Sequence, residues 1–325
     1  MPSRLLIVAV LAALPLTAGV KTFTNPVINA DFPDPFIIQS GKDYYAFATN
    51  AGTANVQAAT STDLVHWVSL PDALPVIGSW ASPGDTWAPE VLKTATRFVM
   101  YYVARDTASG RQCIGAAISS RAQGPYADAE AKPLICQTDM GGSIDPSPFT
   151  DTGGQNYLYW KNDGNCCGMN TNIFVSRLTP DGLNLKGRPV ELIHNTELWE
   201  GPLIEAPSVY KRAGKYYLFY SASSFESSLY GVGFALGFSP LGPFSKLGSR
   251  QPILETNAAV AGPGGQGVIA DRSGKPWMYY HAWDPEYVGY AGGGRRALYI
   301  SPLVFKDGLP HVSPTVKTQP APGVK

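Results

Sequence analysis

Ser143-Ile144-Asp145-Pro146-Ser147-Pro148-Phe149, then Tyr157-Leu158-Tyr159-Trp160, then Ile173-Phe174-Val175-Ser176 are three apolar and aromatic runs separated by Gly, Asn and Asp. Runs of this length, rich in β-branched and aromatic residues and bounded by turn formers, read as strands of one sheet. The same order recurs on both sides. Upstream, Asp34-Pro35-Phe36-Ile37-Ile38 leads to Asp43-Tyr44-Tyr45-Ala46-Phe47 and then 56–60, and Ala88-Pro89-Glu90-Val91-Leu92 leads to Phe98-Val99-Met100-Tyr101-Tyr102 and then 114–119. Downstream, Ile204-Glu205-Ala206-Pro207-Ser208-Val209 leads to Tyr216-Tyr217-Leu218-Phe219-Tyr220 and 231–236, and Gly267-Val268-Ile269-Ala270 leads to Trp277-Met278-Tyr279-Tyr280-His281 and 297–301.

The repeat recurs roughly every 55 to 62 residues, room for a four-stranded sheet with its turns, and radial repetition of such sheets limits exposed edges. The chain therefore reads as all-β, a five-bladed β-propeller. A β-sandwich with chance self-similarity fits less well, because the aromatic second strand returns in every unit. One catalytic domain is expected over 19–325. After Val304 the sequence turns Pro-rich, and the end of the tail over 310–325 is expected to fray.

Ahead of the repeats, Arg4 and an apolar run over 5–16 precede Thr17, Ala18 and Gly19. That is the layout of a secretory signal peptide over 1–18, too short for a convincing membrane span. An extracellular monomer is expected, with no membrane partner. Lys plus Arg number 25 and Asp plus Glu 25, so no charge excess points to nucleic acid. The 4 cysteines suit an oxidising compartment. Cys113 and Cys136 could bridge neighbouring strands, while adjacent Cys166 and Cys167 could pair with each other or stay free, and spacing does not choose. Zinc is disfavoured, because spaced Cys pairs and a nearby His are lacking.

In a propeller the innermost strands line one axial funnel, so matching positions of different blades face one another. Asp34, Glu90, Asp145 and Glu205 fall at nearly the same place in four units. Converging carboxylates repel, so such a cluster must be separated, protonated or paired, which suits acid and base chemistry. Cleavage of a glycosidic bond needs one carboxylic acid at the leaving oxygen and one carboxylate opposite. Acids beside proline also cap turns, and recurrence in register is what argues beyond that. Asp31 is out of register and reads as structural; Asp63, before Trp67, reads as turn chemistry.

Asn25-Pro26-Val27 with Pro33-Asp34-Pro35, Trp87-Ala88-Pro89-Glu90, Ser143 to Phe149 and Ile204-Glu205-Ala206-Pro207 resemble glycoside hydrolase family 43, from about Asn25 to about Lys306. The resemblance implies a five-bladed propeller that hydrolyses arabinan, xylan or galactan linkages with inversion. It implies Asp34 as general base, Glu205 as general acid, and Asp145 as the group that orients the acid and raises its pKa. His281 resembles a family histidine facing the central cavity, where many members bind calcium through water; no other cofactor is expected. Arg295 and Arg296 resemble a sugar-binding arginine, and register favours Arg295. Trp87 and Phe36 adjoin the acids and could stack on sugar, and Glu90 is expected to help bind it.

The expected reaction is release of terminal α-L-arabinofuranosyl residues from arabinan or arabinose-substituted plant polysaccharide. β-Xylosidase and endo-arabinanase are the alternatives, and loop shape decides between single-residue release and internal cleavage. The 198–202 run and the Cys166–Cys167 loop look able to wall a pocket. A retaining propeller of the invertase type would place Cys after the acid, where this chain has Ala206. A catalytically silent carbohydrate-binding propeller would be expected to have lost an acid, and Asp34, Asp145 and Glu205 are all present.

Overall fold

A computed structural model describes residues 22–246 and 251–323; the expected signal peptide lies outside them. Five antiparallel sheets follow one another along the chain. Blade 1 contains Phe36–Ser40, Asp43–Ala48, Gln57–Ser61 and Trp67–Leu70, and blade 2 contains Ala81–Lys93, Phe98–Asp106 and Gln112–Ser119. Blade 3 runs through Ser143–Thr150, Asn156–Asn162, Asn172–Leu178 and Leu185–His194. Blade 4 comprises Ile204–Arg212, Lys215–Ala222, Gly231–Gly237 and Phe244–Ser245, and blade 5 Ala261–Ala270, Pro276–Trp283, Ala297–Lys306 and Leu309–Val312. Four sheets have four strands and blade 2 has three, so the five-bladed propeller is the fold.

The aromatic second strands follow from this geometry. Successive side chains of a strand point to opposite faces. Tyr102 therefore enters the core shared with Phe47 of blade 1, while Tyr101 enters the core shared with Trp160 of blade 3. Tyr159 and Tyr220 meet between blades 3 and 4, Phe219 and Tyr280 between blades 4 and 5, and Tyr279 and Tyr44 between blades 5 and 1. Each second strand is sandwiched, so it needs large apolar groups on both faces.

The first strands share a second device. Asp34, Ala88, Asp145, Ala206 and Gly265 have φ of 51, 42, 55, 50 and 59°, one in each blade. Four of these left-handed residues precede Pro, and in blades 2 to 5 the ladder register shifts at that point. Bulges bend a strand and re-aim its side chains, and they gather beside active sites. Left-handed backbone is costly for residues with a Cβ, so four non-glycine examples in register mark a constrained rim.

Asn25 joins the N-terminal segment to blade 5 by donating Nδ2–H to the Ile300 carbonyl and accepting its N–H. Thr22–Thr24 then pairs with Thr318–Pro320, and Gly323 N donates to Asp271. The tail expected to fray is docked through Gly323, because the segment ahead of blade 1 supplies its strand partner. Cys113 and Cys136 form a disulfide beside the Ile114–Ile135 bridge, and Cys166 and Cys167 form one with each other. Asp63 accepts the Val65 and His66 N–H groups, as expected of a turn acid.

Candidate active site

Asp34, Asp145 and Glu205 line one cavity of about 500 Å³ at the bulged end of the first strands. Trp87, Ile144, Leu203, Phe225 and Tyr290 form much of its apolar wall, with Cys166 beside them. Asp34 and Asp145 occupy the left-handed positions of blades 1 and 3, whereas Glu205 precedes the left-handed Ala206 of blade 4. Ala206 N donates to Asp145 Oδ2 over 2.8 Å, which ties the two acidic blades together.

Asp34 is gripped from three sides. Thr49 Oγ1 donates to Oδ2 at 2.7 Å and itself accepts the Ala88 N–H at 3.0 Å, joining blades 1 and 2. Arg296 Nη1 donates to Oδ1 at 3.1 Å. The Asp34 backbone N–H donates to His281 Nδ1 at 3.0 Å. Arg296 is in turn held by Tyr290 Oη, and Tyr290 Oη and Arg296 N both donate to Asp31. Asp31 is thus structural, as its register implied, and it fixes the partner of Asp34.

The arginine expectation is corrected by one residue. Arg295 is exposed and donates to Asn29, outside the cavity. Arg296 is buried, lines the cavity and lies over the Phe225 ring at 4.6 Å. Adjacent residues of an extended segment face opposite ways, so one of the pair had to point outward. Arg295→Ala should leave kcat/KM within about twofold, whereas Arg296→Ala should lower it more than tenfold by freeing a charge-assisted bond to Asp34. Steady-state kinetics of the two variants check this.

Glu205 accepts hydrogen bonds at both oxygens, from Lys161 Nζ at 2.9 Å and from Tyr230 Oη at 2.7 Å. Tyr230 stacks flat on His281, with centroids 5.9 Å apart, so the ring that supports Asp34 also supports the partner of Glu205. The Asp145 carboxyl is pushed up to about 7, by desolvation and then by the charge of Glu205. Asp163, behind Lys161, is raised to about 6, mainly by desolvation.

Phe36 and Glu90 do not line this cavity. Phe36 packs into the cores on both sides of blade 1 and reaches the far mouth of the axial channel. Glu90 stands two residues beyond the left-handed Ala88, so its carboxyl lies deeper along the axis. Burial raises its pKa well above the usual range, against a bond from Ser147 that lowers it. An axial cavity of about 30 Å³ beside it also touches Asp34, Asp145 and Gln266.

His281 does not fit direct calcium ligation. Its Nδ1 accepts the Asp34 N–H, so the neutral ring carries its proton on Nε2, which cannot also bind a cation. Burial, then Arg296, holds its pKa well below the usual value. Nε2 is buried without a protein partner, and as a donor it suits a water oxygen. The axial cavity beside Asp34 has room for about one water, whereas calcium takes six to eight oxygens.

Thr49, Lys161, Asn165, Phe225, Tyr230 and Tyr290 were not singled out from sequence. The 198–202 run walls the cavity less than expected. Leu198 is fully exposed, Glu200 is buried on Tyr220 and Lys246, and Leu203 provides the lining.

Comparison with known proteins places this geometry. The profile of glycosyl hydrolases family 43 matches residues 23–310. A solved thermostable family-43 glycoside hydrolase superposes with a TM-score of 0.84 at 32% identity, over 93% of this chain and 100% of the other. A β-D-galactofuranosidase of Aspergillus niger is 27% identical over 87% of this chain and 82% of its own length. An extracellular endo-α-(1→5)-L-arabinanase of Thermotoga petrophila is 31% identical over 84% of this chain and 62% of its own length.

Proposed function

This chain belongs to glycosyl hydrolases family 43, and from that premise we propose that it is a secreted inverting glycosidase releasing terminal α-L-arabinofuranosyl residues from plant polysaccharide. The observation that carries the reading is the convergence of Asp34, Asp145 and Glu205 in one walled cavity. Secretion rests on the leader-like first 18 residues and on the extracellular relative. Among the described residues no helix is long and apolar enough to cross a membrane.

In this reading the sugar lies between Trp87 and Phe225, with Arg296 beside Asp34. Glu205 gives its proton to the glycosidic oxygen as the C–O bond breaks, and the rest of the polysaccharide leaves as an alcohol. Water attacks the opposite face of the anomeric carbon and gives a proton to Asp34. Asp34 then releases its proton to solvent and the Asp145–Glu205 pair takes one up, which resets both for the next turnover. The walls from Cys166, Leu203 and Phe225 favour a terminal residue over a chain passing through.

The test is incubation with linear arabino-oligosaccharides and xylo-oligosaccharides, followed by proton NMR. Arabinose monomer appearing first as the inverted anomer is expected. Xylose would move the substrate, longer products would indicate internal cleavage, and the retained anomer would reject Asp34 as a base acting on water.

A further inference from the structure

Asn156–Asn162, the second strand of blade 3, is buried throughout and contains one cation, Lys161. Its side chain is 0% exposed, with Nζ seated between Glu205 Oε2 at 2.9 Å and Asn165 Oδ1 at 2.6 Å. A buried ammonium is tolerated only where anions replace its lost hydration. The anions here are Glu205, Asp145 and Asp163. Asp34 has its own cation in Arg296, and the positive charges of Arg111 and Arg105 act on Asp163. From below, Asp145 meets the acidic Glu90, and Tyr230 offers Glu205 a neutral hydroxyl. Asp145 and Glu205 therefore share one ammonium, and two carboxylates that share one cation in a desolvated site keep a proton between them.

We infer that Lys161 is a positioning residue that decides which member of the Asp145–Glu205 pair holds their shared proton, and hence when Glu205 can act as an acid. The inference deepens the hydrolase reading above and rests on it for its catalytic meaning. With Nζ on Oε2 and Tyr230 Oη on Oε1, both Glu205 oxygens face donors, the surroundings of an anion. The proton then resides on Asp145, which accepts the Ala206 N–H at one oxygen. Asn165 gives the ammonium a second seat, so a small swing of Nζ away from Oε2 lets the proton pass to Glu205. The raised carboxyl of Asp145 agrees with this free-site arrangement.

The experiment compares wild type, Lys161→Met and Lys161→Gln by carbon-13 NMR titration of the carboxyl groups and by pH–rate profiles. Asp145→Asn assigns the upper titration of the pair. Without the ammonium the pair should hold its proton at least about tenfold more tightly, an upward move of one pH unit or more. The alkaline limb of kcat should move with it. A lysine with a merely structural role would lower kcat and leave both titrations in place, and that result overturns the inference. Near-UV circular dichroism reports folding, and Gln, which keeps an N–H for Glu205, provides the test if the Met variant does not fold. If wild type cleaves no glycoside, the hydrolase reading fails, while the NMR arm still decides where the proton resides.

Discussion

Asp34→Asn should lower kcat on oligosaccharides by about 10²- to 10⁴-fold, the range of a lost general base, with KM little changed. Asn is the right probe because of the backbone. Asp34 has φ of 51°, a left-handed conformation that Asn accepts far better than other residues, so Ala would add about 1–2 kcal/mol of strain. Asn also keeps an oxygen for Arg296 Nη1 or Thr49 Oγ1, and the backbone N–H to His281 is untouched. What it removes is the negative charge that, in the proposed mechanism, takes the proton of water. Equal activity in the variant would exclude Asp34 as the base and leave its carboxylate a clamp for Arg296.

The blades were legible in the sequence because a sandwiched second strand needs aromatic groups on both faces, and Tyr101 with Tyr102 or Tyr279 with Tyr280 write that need into adjacent letters. Asp34, Asp145, Glu205 and Trp87 were legible because proline marks the bulged rim. Glu90 was misplaced for the same reason. The left-handed residue stands directly before proline, in blade 2 Ala88, and Glu90 lies on the far side of Pro89, so it falls deeper along the strand. Arg295 and Arg296 differ by one step of alternation, and the turn at Tyr290–Gly292 ahead of them hides the register. Lys161 did leave a signal: a cation directly after Tyr157-Leu158-Tyr159-Trp160 is a charge in a strand otherwise built for burial. Its partner, Glu205, comes from another blade, and only the fold brings them together.

Glu205→Gln should separate substrates by leaving group. An oligosaccharide departs as an alcohol and needs a proton at its oxygen in the transition state, so kcat should fall by about 10²- to 10⁴-fold. A nitrophenyl arabinoside departs as a stable anion and needs little help, so its loss should be about tenfold or less. Gln retains a carbonyl oxygen for Lys161 Nζ, which matters because the ammonium is buried. Stripping a partner from a buried pair costs about 3–5 kcal/mol, and a carbonyl recovers part of that. Melting temperature should therefore drop, and kinetics must be read well below it. The pH profile supplies the second arm. On the nitrophenyl substrate the alkaline limb set by the acid should vanish in the variant. Equal losses on both substrates, with the alkaline limb retained, would move the acid role away from Glu205 and toward Asp145, whose carboxyl is raised to about 7 in the free site.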